Sequence, residues 1–454
     1  MDMIKMEQAW RAGQGKGAVV AVIDTGVSDG RREKKGFPRV PDLEGTTFVP
    51  GYNFVADNEF PDDDHAHGTH VAGTIAQATN NNFGVTGVAP KASIMALKVL
   101  SKQGWGTSAD IANAIRWAAD HGANVINMSL GGGGYSSAMA NAVKYAHDKG
   151  VVVVCAAGNT GRGRVEYPAA YPGALAVSSV GPDGARAWYS SYGKETFIAA
   201  PGGDTRVDLN KDGIADGVLQ DTIVVGDPSK HGFFPFQGTS MATPHVAGVA
   251  ALIVGRGVTN PDKVAEILAK SAERRDDKAQ YGNGVLNAAA AMTAVQDHNA
   301  GRAGWTAALL GLLVLGARRK FGAGRAKVGL AGVAMAFVAG AGILPLQWLG
   351  EFPGSQLLSS PLPMWDGVLF NAGPSAFMCS LLLPLLPALF LLGIGRLRGI
   401  LVGLAAGTAA FLLSEAFGGV INVSFIPGFG MLDTAWLGLQ GLLSLGLGWL
   451  LMRK

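Results

Sequence analysis

Short apolar runs alternate with amphipathic stretches over the first two-thirds of the chain. Residues 18–23 (Ala-Val-Val-Ala-Val-Ile) are continuously apolar, the pattern of a parallel strand buried on both faces. Similar runs recur at 92–99, 124–128, 151–155 and 174–180. Between them, 108–121 has helical spacing, with Ile111, Ile115 and Ala118 on one face, and 138–149 reads as a helix stopped by Gly150. Further helices are predicted from His67 to about Ala78 and over 261–270. Strands alternating with helices imply an α/β fold, a parallel sheet with helices on both faces.

The last third changes character. Apolar segments lie at 304–317, 328–349, 373–395, 399–418 and 433–452. Most are near the ~20 residues that cross a bilayer; the first is short and reads equally as a buried or re-entrant piece. Arg318, Arg319, Lys320, Arg325 and Lys327 follow the first segment, Arg396 and Arg398 separate the third from the fourth, and Arg453 and Lys454 end the chain. The other loops carry Glu351, Asp366, Glu415 and Asp433. This alternation predicts about five transmembrane helices with the basic loops and the C-terminus in the cytoplasm. Glu415 reads as an interface residue near a helix end, which gives ion or proton coupling little support. The predicted organisation is an α/β domain over 1–295, a linker over 296–303 and an all-α membrane region over 304–454.

Composition narrows the function classes. Charged residues are only 16%, and a net charge of +3 is too mild to suggest nucleic acid as a partner. Two cysteines, one in each part, make no disulfide framework.

Candidate chemistry gathers at four places. In Gly238-Thr239-Ser240-Met241-Ala242-Thr243-Pro244-His245, a serine stands at a helix mouth between small residues. It reads as an N-cap or as a nucleophile whose oxyanion meets free amides. Asp24 ends the first strand at the sheet edge where α/β proteins place their sites; its plainer role is a turn. His67 and His70 lie three apart, without the glutamate and spacing of a zinc helix. His67 reads as a base at a helix start, His70 as packing support, and Asp62-Asp63-Asp64 before them as a solvated loop, with a cation site as the minor reading. Asn159 follows Ala156-Ala157-Gly158 at a strand end.

With these residues in hand the chain resembles the subtilisin-type serine proteases (subtilases) over residues 4–290. The segments Val22-Ile23-Asp24-Thr25-Gly26-Val27, His67-Gly68-Thr69-His70-Val71-Ala72-Gly73 and Gly238-Thr239-Ser240-Met241-Ala242-Thr243-Pro244-His245 each match a family signature, in the family's order. The resemblance implies Ser240 as nucleophile, His67 as general base, Asp24 as its orienting carboxylate and Asn159 as an oxyanion donor. It implies that Ser129-Leu130-Gly131 pairs with extended substrate, and that Glu166 lies on the floor of the pocket for the residue before the cut. There a carboxylate would favour Lys or Arg, unless Arg162 or Arg164 neutralises it or it faces water.

Asp208, Asn210, Asp212 and Asp216, with Gly213 at the sixth position, match a calcium loop, although Leu219 replaces the closing glutamate and Asp221 is the candidate substitute. Asp42 with Asn80-Asn81-Asn82 resembles another subtilase calcium site. No secretory leader or propeptide is recognisable, and the matched region starts later than the family's mature enzyme, so the reading frame is expected to extend upstream. The function expected is a membrane-anchored endopeptidase cutting extracytoplasmic proteins at a bacterial cell membrane, with calcium as structural cofactor. A catalytically silent module regulating the membrane region is the alternative.

Overall fold

β1 (Val19–Asp24) is buried at every position. In the computed structural model it lies inside a seven-stranded parallel sheet of order β2-β3-β1-β4-β5-β6-β7. The structure describes residues 1–295, 329–342, 360–365, 375–391, 393–418, 423 and 431–453. They divide into two compact units, Met1–Ala294 and Val295–Lys454.

In the first unit the other strands are β2 (Thr47–Asn53), β3 (Ser93–Lys98), β4 (Val125–Met128), β5 (Val152–Ala156), β6 (Ala174–Val180) and β7 (Thr196–Pro201). Strand residues alternate between faces. Val19, Ala21 and Ile23 join a core with Ile111, Ala114, Ile115, Ala118, Met139 and Val143 of α3 (Ser108–Asp120) and α4 (Ser137–Asp148). The opposite set, Val20, Val22 and Asp24, faces the other layer, which holds α2 (His67–Ala76) and α5 (Thr239–Val254). Burial on both faces explains why these strands read as unbroken apolar runs.

β1 to β3 fill one side of the sheet and β4 to β7 the other, so the strand order reverses beside β1 and β4. Ligands of open α/β sheets bind outside the strand C-termini at such a reversal. Asp24 ends β1, Ser129 follows β4, and Asn159 lies just beyond β5.

Every predicted strand and helix of this unit is present within about two residues, a normal uncertainty of helix ends. Four strands were not predicted, nor were the short helices Met6–Trp10 and Lys278–Tyr281. β7, the Thr-Phe-Ile-Ala-Ala-Pro run at the far edge of the sheet, is one of the strands. β2 contains Pro50-Gly51 and is mostly half-exposed, as an edge strand is. β8 (Val218–Val224) and β9 (Asp227–Phe236) form an antiparallel hairpin in the stretch read only for its acidic loop.

In the second unit the described helices are Leu330–Ala341, Leu382–Leu391, Arg398–Gly418 and Met431–Arg453. Two stretches, Arg398–Ala416 and Thr434–Met452, are long and apolar enough to cross a membrane, each with 19 residues. The linker over 296–303, the first predicted span over 304–317 and the basic cluster Arg318 to Lys327 lie outside the described residues, as do Glu351 and Asp366.

Candidate active site

α5 places the serine. Every one of its residues except Ser240 is buried, so the sheet-facing helix is fixed by the core and exposes one hydroxyl-bearing position. Pro244 has no N–H, so the Ser240 carbonyl four residues earlier lacks its helical partner. Ser129 supplies one: its Oγ donates to Ser240 O at 2.7 Å, and Asn127 Nδ2 donates to Ser129 Oγ at 3.0 Å. In return Ser240 Oγ donates to the Ser129 carbonyl at 3.2 Å. The nucleophile candidate is thus joined to the segment Ser129-Leu130-Gly131, whose Gly131 is exposed.

α2 places the base. His67 is its first residue, and Nδ1 lies 2.7 Å from Asp24 Oδ1. Asp24 is fully buried, and the same oxygen accepts the Thr25 N–H at 2.8 Å. Burial alone pushes the imidazole pKa down; the Asp24 charge and hydrogen bond, with Asp63 beyond, outweigh it, and the net shift is upward from the ordinary histidine value. The structure brings Asp24 and His67 into contact; the Ser240 hydroxyl is turned to Ser129 O. Catalytic hydrogen bonds often tighten only with substrate present.

Asn159 is exposed beside them. Its Oδ1 accepts both the Thr239 N–H and the Thr239 hydroxyl at 2.9 Å. An amide N–H can only donate, so this contact fixes which end is oxygen. Nδ2 is left for a ligand.

Two residues that the sequence reading gave no part in the site hold this arrangement. Asp63 is 1% exposed, not solvated. Its carboxylate accepts from Thr25 Oγ1 (2.9 Å), His65 N (2.9 Å), Ala66 N (3.1 Å), Thr69 N (2.9 Å) and Thr69 Oγ1 (2.6 Å). Amides at a helix start have no helical acceptor, and Asp63 supplies it just before His67. Asp62 is also buried, ion-paired to Arg32 at 3.0 Å. The reading of this run as solvated is therefore corrected for both; the signal was its place four residues before the helix. Tyr189 is the second. Its hydroxyl donates toward Gly202 O (2.9 Å) and Gly203 O (2.7 Å) and accepts from Gly238 N (3.1 Å), with Ser179 Oγ at 2.8 Å, and so ties β6 and β7 to the residue before Thr239-Ser240.

His70 is packing support, as expected. It is fully buried, stacks on Phe236 at 4.3 Å and donates from Nε2 to Val218 O and Phe234 O. Burial holds its pKa near 3, so it stays neutral and clamps α2 to the β8–β9 hairpin.

Glu166 is half-buried between Gly131 and Gly158; a Cβ on Gly158 would come within 2.5 Å of its carboxyl carbon. Burial raises its pKa, and Arg164 draws it part of the way back.

The predicted calcium residues separate into two places. Asp208 accepts from Asp212 N and Gly213 N, Asp212 from Ile214 N, and Asp216 from Leu209 N at 2.6 Å. Asn210 Nδ2 donates to Asp212 Oδ2. Asp221 does not close this loop: it is buried in β8, with one oxygen on His231 Nδ1 (2.9 Å) and the other accepting Asp42 N (3.1 Å). Asp42 accepts from Asn81 Nδ2 and Val85 N. Burial raises its pKa; the bonds from Val85 and Asn81 lower it in part, and Asp221 raises it further. Among the described residues no three His, Cys, Asp or Glu side chains gather as metal ligands do.

The Subtilase family pattern matches residues 15–289. Thermitase from Thermoactinomyces vulgaris is 38% identical over 254 residues, 56% of this chain and 81% of thermitase. The thermostable alkaline protease of Halalkalibacterium halodurans is 40% identical over 291 residues, 63% of this chain and 71% of the relative. Subtilisin DY from Bacillus licheniformis is 37% identical over 297 residues, 64% of this chain and 97% of the relative. Among solved structures, a protease from Pseudoalteromonas arctica PAMC 21717 aligns with a TM-score of 0.57 and 36% identity, covering 64% of this chain and 94% of its own.

Proposed function

Because the chain belongs to the Subtilase family and is a subtilisin-like serine endopeptidase, we propose that Asp24, His67 and Ser240 are its catalytic triad and Asn159 its oxyanion donor. His67 takes the Ser240 proton as Oγ attacks the peptide carbonyl. The oxyanion is received by Asn159 Nδ2 and the Ser240 N–H. His67 then gives its proton to the leaving amine, and a water, deprotonated by the same ring, releases the acyl group. Asp24 holds the tautomer with Nε2 facing Ser240 and stabilises the imidazolium. The observation that carries this reading is the 2.7 Å contact from His67 to a fully buried Asp24. S240A should lower kcat/KM on casein or a peptide by ~10⁵-fold or more and abolish labelling by a fluorophosphonate. Undiminished turnover in S240A would refute it, and the silent-module alternative would need wild-type protein to be inert as well.

Glu166 is the specificity residue in this proposal. Its position beside Gly131 and Gly158 supports a carboxylate in the pocket for the residue before the cut. E166Q should lower the preference for Lys or Arg over Leu by ~10-fold, the scale of one charge-assisted pair; an unchanged ratio in peptide libraries removes the role. The backbone at Ser129, Leu130 and Gly131 is assigned to pairing with extended substrate.

Asp208, Asn210, Asp212 and Asp216 would hold Ca²⁺, with oxygen donors of the right chemistry and Gly213 at φ +86° making the turn that such loops require. The ion would brace the loop and has no part in bond cleavage. Asp42 is assigned to a second structural site. The two long apolar stretches support an integral membrane protein. In the proposed topology about five helices span the bilayer, the catalytic domain is outside and the C-terminus is cytoplasmic. A reporter fused after Lys454 should be active inside the cell only; activity outside overturns the orientation.

A further inference from the structure

The connection from β1 to β2 carries an unusual charge. Residues 30–39 (Gly-Arg-Arg-Glu-Lys-Lys-Gly-Phe-Pro-Arg) hold five cationic side chains against one carboxylate, a surplus larger than the +3 of the whole chain. The segment is held in place. Arg32 lies over the rings of Phe37 and Phe60, at 5.2 and 5.3 Å, and is ion-paired to Asp62. Arg39 lies 5.0 Å over Phe48 and donates to Asp29 O. Arg31 pairs with Asp29. These contacts occupy the arginines and leave the short helical turn Glu33–Lys35 projecting, with Lys34 and Lys35 exposed.

The same anchors fix where the tip stands. The segment leaves β1 directly after Asp24, and Val27 N bonds to Pro61 O at 2.9 Å. Asp62, which holds Arg32, precedes Asp63, which caps the helix that begins with His67. The cationic segment is therefore joined, through Arg32, Asp62 and Asp63, to the start of the helix that carries His67. Substrate on the acyl side runs along Ser129-Leu130-Gly131 and Glu166, and the leaving amine departs past the histidine that protonates it.

From this arrangement we infer that Lys34 and Lys35 form an exosite for acidic residues of a protein substrate, placed a few positions after the cut. The inference rests on the triad and substrate-strand assignment above. A cationic surface beside a cleft raises encounter rates and local concentration of oppositely charged ligands, and added salt screens it. It acts on capture of the substrate and leaves the chemical step unchanged. KM, not kcat, therefore carries the effect.

The test uses the full-length protein and three internally quenched peptides with one common cleavage sequence. One continues after the cut into Asp-Glu-Asp-Glu, one into Asn-Gln-Asn-Gln, and the third carries Asp-Glu-Asp-Glu before the cut. The ratio of kcat/KM, acidic over neutral, is expected to be about 5 to 10 at low salt, set by KM, and to fall toward 1 at about 0.5 M salt. In K34Q/K35Q the ratio should fall toward 1 at low salt too; taken within one variant, it is insensitive to how much protein is folded. A ratio near 1 in wild type, an equal gain when the acidic run precedes the cut, or a ratio unchanged by K34Q/K35Q each overturns the exosite. Cleavage of the neutral peptide that survives S240A would instead overturn the triad reading, so the two failures are distinguishable.

Discussion

Asp62-Asp63-Asp64 and the run from Asp208 to Asp216 are both short acidic stretches, yet Asp63 is 1% exposed while Asp212 stands in solvent. What differs is the chain that follows. Asp63 precedes a helix, whose first amides need acceptors, and Thr25 and Thr69 add two hydroxyls. A buried carboxylate with that many donors is satisfied. Asp208, Asp212 and Asp216 are followed by turn residues, and each accepts from amides of its own loop. Burial of an aspartate here follows from the supply of converging donors, which the identity of the residue does not reveal.

The contrast can be broken most directly at Asp63. D63A strands several buried donors, each costing ~1–3 kcal/mol. Measured by calorimetry in an S240A background to prevent autolysis, it should lose about 3 kcal/mol or more; a domain of this size loses ~2–4 °C per kcal/mol. D63N keeps the shape and removes the charge. Asp63 helps to raise the His67 pKa, so the acid limb of kcat/KM against pH should move to lower pH in D63N. The sign also applies to stability. A histidine with a raised native pKa contributes stabilisation that is complete below its unfolded value of ~6.5 and is lost as pH rises through the native value. An acid limb that stays in place would detach Asp63 from the histidine and leave it a cap only.

The smallest effect is expected at the second stretch. D208A/D212A should change the melting temperature by only a degree or two without calcium, since these side chains serve an exposed loop. If the loop binds Ca²⁺, a chelator lowers the wild-type melting temperature by more than that of the double variant, whose remaining sensitivity belongs to the Asp42 site. Equal chelator sensitivity in both would remove the ion from this loop.

Much of the sheet was legible in the sequence because its strands are covered on both faces. Continuous runs such as Val151 to Val154 have few other solutions. Asp24, His67, Ser240 and Asn159 were singled out because the segments around the first three match family signatures in the family's order and Asn159 follows Ala156-Ala157-Gly158. β2, β7 and the β8–β9 hairpin were not legible: β7 is a short run closed by Pro201, and the others, partly exposed and interrupted by Pro, Gly and polar residues, lack a clean period. Tyr189 was missed for a different reason. Its role lies in a hydroxyl reaching Gly202, Gly203 and Gly238, positions distant in the sequence that only the fold brings together.

The proline in the middle of α5 has an effect beyond its own turn. A ring nitrogen with no hydrogen at Pro244 is what leaves one carbonyl open for Ser129 to claim. The proposed nucleophile and the segment assigned to substrate pairing are therefore stitched together by an omission. A transplanted version of this helix with alanine at that position would wind more perfectly and, for that reason, let go of the strand.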